Sequence, residues 1–334
     1  MPDSSLGGNI LDQESRVALL GVPIRHGQAR SGTDLGPNTL RDGGLKEKLS
    51  SVGCDVVDYG NLVFRQAQND NSHERTHNSR SVGAAAKQIA DAVSRRVLNG
   101  EACLALGGDH SMAIGTIYGH AQVRSDIAVI WVDAHADINT PLTSESGNIH
   151  GMPLSFLVRE LEPYVPKLPG MEWIKPCISA KDIAYIGLRD VDPAERWIIE
   201  KFNMTAFSMQ EVDKYGIHEV MDRAMKAVDP NGTRSIHLSF DVDGLDPSLT
   251  PSTGTPVPGG LSLREGLYIA EEVCATGRLA VMDVAEVNPL LGNDEDSKRT
   301  LEITMDVIER CFGKKRQGVC PPDYLVPLPS DMGK

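Results

Sequence analysis

The feature that most constrains this chain is a regular alternation of short apolar runs with amphipathic stretches. Eight runs read as buried strands: "VALLGV" (17–22), "CDVVDYG" (54–60), "CLALGG" (103–108), "IAVIWV" (127–132), "IAYIGL" (183–188), "MTAFSM" (204–209), "SIHLSF" (235–240) and "LAVMDV" (279–284). Between them, helical spacing marks 80–99, 111–121, 193–202, 211–228, 262–276 and 297–312. Such alternation predicts an α/β fold with a doubly wound, mostly parallel sheet and helices on both faces. Start signals agree: "SLRE" (262–265) and "SMQE" (208–211) are capping boxes, and "DPAE" (192–195) offers an Asp cap followed by Pro. Pro and Gly gather in 31–38, 165–170 and 254–260, which are predicted to be loops.

No repeat, low-complexity tract or linker divides the 334 residues, so a single domain over 1–334 is expected, with 314–334 as an irregular tail or oligomer arm. A net charge of −13 argues against a general nucleic-acid binder, which needs a basic footprint. The longest apolar runs are too short to cross a bilayer. The start, "MPDSSLGGNILDQESR", has neither an apolar signal core nor the Arg-rich pattern of a transit peptide, so a cytoplasmic location is expected. Six scattered cysteines (Cys54, Cys103, Cys177, Cys274, Cys311, Cys320), none in a C-x-x-C pair, read as reduced thiols.

Parallel α/β sheets bind ligands beyond the carboxyl ends of their strands, so the polar residues at strand exits matter most. Asp109 and His110 follow "CLALGG", and Asp133, His135 and Asp137 follow "IAVIWV". Asp241 and Asp243 follow "SIHLSF", and Glu286 follows "LAVMDV". An extended chain alternates faces with period 2, so Asp133, His135 and Asp137 are expected to project together, as are Asp241 and Asp243. A lone His110 after a glycine turn is ordinarily a cap or core histidine, and D-x-D alone is a common turn. D-x-H-x-D after a buried strand is more specific, because that crowding serves no packing purpose.

Charge decides what the cluster holds. Asp133, Asp137, Asp241 and Asp243 carry four negative charges, while His110 and His135 are neutral as ligands. Two divalent cations balance the set, whereas one leaves surplus buried anion. Carboxylates with imidazoles and no thiolate suit a cation such as Mn²⁺ better than structural zinc. The two histidines argue against a lone structural Ca²⁺ site.

"GGDHS" (107–111), "DAHAD" (133–137) and "SFDVDGLDP" (239–247) resemble the three signatures of the ureohydrolase family. "DINTPLTSESGNIHG" (137–151) and "GLRDVDPAE" (187–195) are similar to its arginase branch, and the likeness runs from "LLGVPIRHGQARSGTDLGP" (19–37) to "RCFG" (310–313). The resemblance implies a three-layer, arginase/deacetylase-like fold around an eight-stranded parallel sheet. It implies two Mn²⁺ per subunit on His110, Asp133, His135, Asp137, Asp241 and Asp243. It also implies hydrolysis of L-arginine to L-ornithine and urea by a metal-bridging hydroxide that attacks the guanidinium carbon, and a homotrimer. On matching positions Asp137 positions the nucleophile, Glu286 holds the guanidinium and His150 shuttles protons. Asn139, Ser146 and Asn148 match the residues for the α-carboxylate, Asp192 and Glu195 those for the α-amino group, and Thr255 a pocket threonine. Without the resemblance, His150 is unremarkable, Asp192 is a good helix cap and Thr255 a turn residue. Candidate interface charges are Asp213, Arg264, Glu265 and Arg316.

Two other functions compete. An agmatinase shares metals and chemistry, but its substrate lacks the carboxylate that Asn139, Ser146 and Asn148 suit. A catalytically dead scaffold is expected to lose ligands, and none is missing. Residues 1–15 and 61–80 match nothing assigned; in so polar a stretch His73 and His77, spaced i, i+4, read as a solvated loop or the approach to a helix.

Overall fold

The computed structural model describes residues 16–70, 72–318 and 324–328. All eight apolar runs form strands: β1 (Arg16–Val22), β2 (Asp55–Asn61), β3 (Ala102–Gly107), β4 (Ile127–Val132), β5 (Ile183–Leu188), β6 (Thr205–Ser208), β7 (Ser235–Asp241) and β8 (Leu279–Ala285). They make one eight-stranded sheet in the order β2-β1-β3-β8-β7-β4-β5-β6, every neighbouring pair parallel. The four strands whose exits carry the acidic and histidine motifs are therefore consecutive across the sheet centre, as β3-β8-β7-β4.

Alternate residues of each strand enter different cores, because side-chain direction reverses at every residue. Val129, Trp131, Ile183 and Tyr185 pack with α3 (Ser79–Leu98) and α4 (Ala113–Val123) on one face. Ile130, Val132, Leu238 and Phe240 pack on the other with α6 (Met209–Val228), α7 (Leu263–Ala275) and α8 (Asp294–Cys311). The result is three layers. The capping boxes at Ser208 and Ser262 form as predicted, and Asp192 caps α5 (Pro193–Lys201) with Pro193 in its first turn. Among the described residues no helix is long and apolar enough to cross a membrane, and all five described cysteines are free. Cys320 lies outside the described residues, as do residues 1–15 and part of the 314–334 tail.

Several expectations need correction. Residues 31–38 are not wholly a loop: a 3₁₀ turn (Thr33–Leu35) leads into α1 (Gly36–Asp42), and α2 (Leu45–Ser51) follows. Pro37 misled as a breaker, for in a first helical turn it has no hydrogen bond to lose. Both short helices are held by Leu40, Leu45 and Leu49, all fully buried. The segment expected as helix 111–121 divides into a 3₁₀ turn (His110–Met112) and α4, and Gly216 interrupts α6 at φ 75°. Within the chain Arg316 pairs with Glu271 at 2.8 Å and Glu265 completes the α7 capping box, contacts that leave the expected interface role uncontradicted.

Truncating Leu45 to alanine leaves a cavity with little means to collapse and is expected to cost about 2–5 kcal/mol in urea unfolding. Lys48→Ala, on the same helix, is expected to stay within about 0.5 kcal/mol of wild type. Equal losses would show that α1 and α2 are not anchored through that leucine ladder.

Candidate metal centre

The convergence of the motif residues comes from turns and not from strand pleat, which corrects the period-2 expectation. β4 ends at Val132, before Asp133, and Asp137 sits at φ 50° in the left-handed region. β7 ends at Asp241, and Asp243 lies in a 3₁₀ turn (Val242–Gly244). Glu286, one residue past β8, has φ 64°. Left-handed backbone costs a non-glycine residue about 1–2 kcal/mol and persists where surroundings impose it. Here they do: Glu286 N–H donates to Gly108 O (2.9 Å), and its carboxylate accepts from His110 N–H (2.9 Å). Gly108 is needed at that point, since a Cβ there would lie 1.8 Å from Ile24 O.

Side-chain oxygens that accept backbone N–H groups lock the carboxylates. Asp133 accepts from His135 N–H (2.7 Å) and from Trp131 Nε1–H (3.0 Å), and Asp241 from Asp243 N–H (2.9 Å). His110 stacks on the Trp131 ring at 4.2 Å. Its Nε2 lies 2.8 Å from Ser239 Oγ, whose hydroxyl faces Asp283 Oδ2 at 3.4 Å. Ser239 thus accepts from Nε2–H and donates onward, leaving the Nδ1 lone pair to face the cluster.

That Nδ1 is 3.2 Å from Asp133 Oδ2, 3.2 Å from Asp137 Oδ2 and 3.1 Å from Asp241 Oδ2, yet is buried without a hydrogen bond of good geometry. His135 Nδ1 lies 3.3 Å from Asp133 Oδ1 and 3.2 Å from Asp243 Oδ2. Two ligand groups result, His110–Asp133–Asp241 and Asp133–His135–Asp243, the donor atoms of each within 4.8 Å of one another. Asp133 belongs to both, and Asp137 lies beside the first.

The electrostatics point the same way. Burial, and then the charge of Asp133, pushes Asp137 up to about 6. Burial also raises Asp241 and Asp243, each further strained by its carboxylate neighbours. Burial pulls the His135 imidazole down, but Asp133 and Asp243 outweigh it and hold it at about 12. His110 rises too, because Asp133, Asp137 and Asp241 overcome its burial. Acids that resist ionising beside bases that cling to protons mark surplus negative charge, which bound cations relieve. The orphaned His110 Nδ1 and the thiolate-free donor set fit divalent cations with oxygen and imidazole ligands.

The other candidates fall around this centre. His150 Nδ1 lies 3.0 Å from Glu286 Oε1, and Gln28 Nε2–H reaches Glu286 Oε2 at 3.4 Å. Thr255 Oγ1–H donates to Asp243 Oδ2 at 3.0 Å, so it touches a cluster carboxylate. Asn139 Nδ2–H donates to exposed Asp192 at 2.8 Å. Glu195 is buried, and its two oxygens accept from Ile138 N–H and Asp192 N–H, both at 3.0 Å, which turns it away from solvent. Ser146 is exposed and accepts from Asn148 N–H at 3.3 Å. The sequence reading missed Trp131 and Ser239 as orienting groups, although each stands two residues before an acidic motif residue. It also missed Gln28, for which no local signal exists.

The family model described as the arginase family matches residues 15–313. The chain is 53% identical to arginase-1 of Sus scrofa over 313 residues, covering 93% of this chain and 97% of that protein. It is 52% identical to mitochondrial arginase-2 of Homo sapiens over 304 residues, covering 90% and 86% respectively. The crystal structure of arginase from Bacillus caldovelox superposes with a TM-score of 0.82 at 35% identity, covering 91% of this chain and all of that one. By its strand order, its shared Asp133 and these likenesses, the chain belongs to the arginase family.

Proposed function

We propose that this protein hydrolyses L-arginine to L-ornithine and urea with two Mn²⁺ ions, and that Asp133, common to both ligand groups, is the observation that carries the reading. His110, Asp133 and Asp241, with Asp137 beside them, would hold one ion; Asp133, His135 and Asp243 would hold the other. Two divalent cations held there would supply a nucleophile near neutral pH by lowering the pKa of bound water. Manganese suits this donor set of carboxylates and imidazoles.

The chain's own residues do the rest. A guanidinium is planar, always cationic and a poor electrophile, so orientation matters more than polarisation. Glu286 Oε1 is occupied by His110 N–H and His150, and Oε2, which has the longer Gln28 contact at 3.4 Å, is the oxygen offered to the substrate for a charge-assisted hydrogen bond. Asp137, beside the first ligand group, accepts a hydrogen bond from the attacking oxygen. His150 delivers the proton that lets the ornithine amino group leave. Ser146, Asn148 and Asn139 take the α-carboxylate, and Asp192 takes the α-amino group, with Glu195 fixing the Asp192 backbone and Thr255 steadying Asp243. A single domain over 1–334, a homotrimer using the 314–334 arm, and a cytoplasmic location belong to the same proposal.

Urea release should be strong on L-arginine with Mn²⁺, and at least about a hundredfold less efficient on agmatine. Comparable efficiencies would remove the carboxylate reading of Asn139, Ser146 and Asn148. For the metals, elemental analysis after dialysis should find two Mn²⁺ per chain in wild type. Asp133→Asn should hold fewer than one, and His135→Asn about one.

A pH effect follows from His150. Burial lowers its pKa, but Glu286 outweighs that and raises it to about 9 from 6.5. A base raised on folding stabilises most below its unfolded pKa and loses that contribution as pH climbs through the folded value. In metal-free protein, wild type should therefore exceed His150→Gln in unfolding free energy by on the order of 2–3 kcal/mol at pH 6. The gap should close between pH 6.5 and 9; a gap that widens with pH would contradict the pairing with Glu286.

A further inference from the structure

Residues 72–78, in the polar stretch that the sequence reading left unassigned, lie against the loop that carries Ser146 and Asn148. His77 N–H donates to Gly147 O at 2.9 Å. Gly147 has φ 73°, and a Cβ there would lie 2.0 Å from Arg75 O and 3.1 Å from the His77 ring. Only glycine fits, both by conformation and by space. The loop's other hydrogen bonds are mostly local, Gly147 N–H to Ser144 Oγ (3.0 Å) and Asn148 N–H to Ser146 Oγ (3.3 Å).

The strip is itself stiff. His73 and Thr76 exchange both backbone hydrogen bonds (3.0 and 2.7 Å) around Glu74 and Arg75, whose φ values are 47° and 65°. Two successive left-handed residues are what a two-residue hairpin of the I′ type needs, and Asn-Gly usually supplies them. Glu-Arg adopts this conformation only at a cost, and the cost recurs at Asn69 (54°) and Asn78 (56°). Thr76 is fully buried, Ser72 Oγ lies 2.6 Å from His77 Nδ1, and Asn78 Nδ2–H donates to His26 O at 3.0 Å. Next to it, Gly27 O accepts from His150 N–H at 3.0 Å. The strip, the 26–27 turn and the 146–150 segment thus form one continuous rim.

We propose that the 72–78 strip is a specificity element, in which His77 and the Arg75 carbonyl seat Gly147 and so hold Ser146 and Asn148 at the spacing that receives the substrate carboxylate. The inference rests on the carboxylate reading of those two residues given above. His77 is a positioning residue: its backbone N–H holds Gly147 O, its imidazole, bonded to Ser72 Oγ, fixes the strip that presents that N–H, and it reaches no reacting atom. Its effect therefore belongs to substrates with a carboxylate and not to the hydrolytic step.

The test compares L-arginine and agmatine on fully Mn²⁺-loaded wild type, His77→Ala, His77→Gln and Ser72→Ala. His77→Ala should raise KM for L-arginine about three- to tenfold. Its kcat and its agmatine kcat/KM should stay within about twofold of wild type. His77→Gln, which can still bond Ser72, should recover most of the loss, and Ser72→Ala should show a smaller rise of the same kind. If wild type prefers L-arginine but His77→Ala keeps its KM, or loses kcat on both substrates alike, the strip has no such role. If wild type itself does not discriminate, the carboxylate reading falls and this inference falls with it. Should His77→Ala be poorly folded, Ser72→Ala carries the same comparison, and an unchanged arginine KM in that variant overturns the proposal.

Discussion

Repulsion among four carboxylates governs the middle of this structure. Asp133, Asp137, Asp241 and Asp243 are buried within reach of two imidazoles, and such a cluster is costly unless cations neutralise it. The protein spends structure on keeping the arrangement. Trp131 and backbone amides hold Asp133, Ser239 orients His110, and Thr255 braces Asp243. Without a divalent pair, Asp137, Asp241, Asp243 and the two imidazoles hold protons tightly where a ligand set needs lone pairs, while Asp133, against its burial, is kept ionised by His110 and His135. Metal affinity and the unusual proton affinities are two views of one electrostatic demand.

The sheet supplies what the cluster needs in space. Four parallel strands, β3, β8, β7 and β4, lie side by side and end at one edge, so residues far apart in sequence arrive within a few ångströms. The last step is made by turns. Asp137 and Glu286 take left-handed backbone, and the Asp243 turn is fastened from outside by Arg189, which donates to Asp243 O (2.6 Å), Gly244 O (3.2 Å) and Val257 O (2.6 Å). A guanidinium surrounded by carbonyls joins the β5 exit to two loops without adding a carboxylate to a site already crowded with them. Strain and rim contacts of the same kind recur at Gly147, where the 72–78 strip meets the 146–150 segment.

Much of this was legible from residues alone. All eight strands and the capping boxes at Ser208 and Ser262 follow from local chemistry, and the six metal-ligand candidates were visible at strand exits. Helices α1 and α2 were not, because their short span holds too few turns for a clear period and Pro37 resembles a breaker. Likewise the role of 72–78 was hidden: its decisive contact uses a backbone N–H and a backbone carbonyl, which every residue possesses.

The sequence by itself therefore determined the layers, the strand count and the stock of ligating side chains, since period, capping and charge are local properties. Tertiary structure alone decided that β8 and β7 lie between β3 and β4, that Asp133 serves both ligand groups, and that Glu195 turns inward while Asp192 faces out. Those facts depend on crossovers and on backbone hydrogen bonds between distant segments. No pattern within a window of residues encodes them.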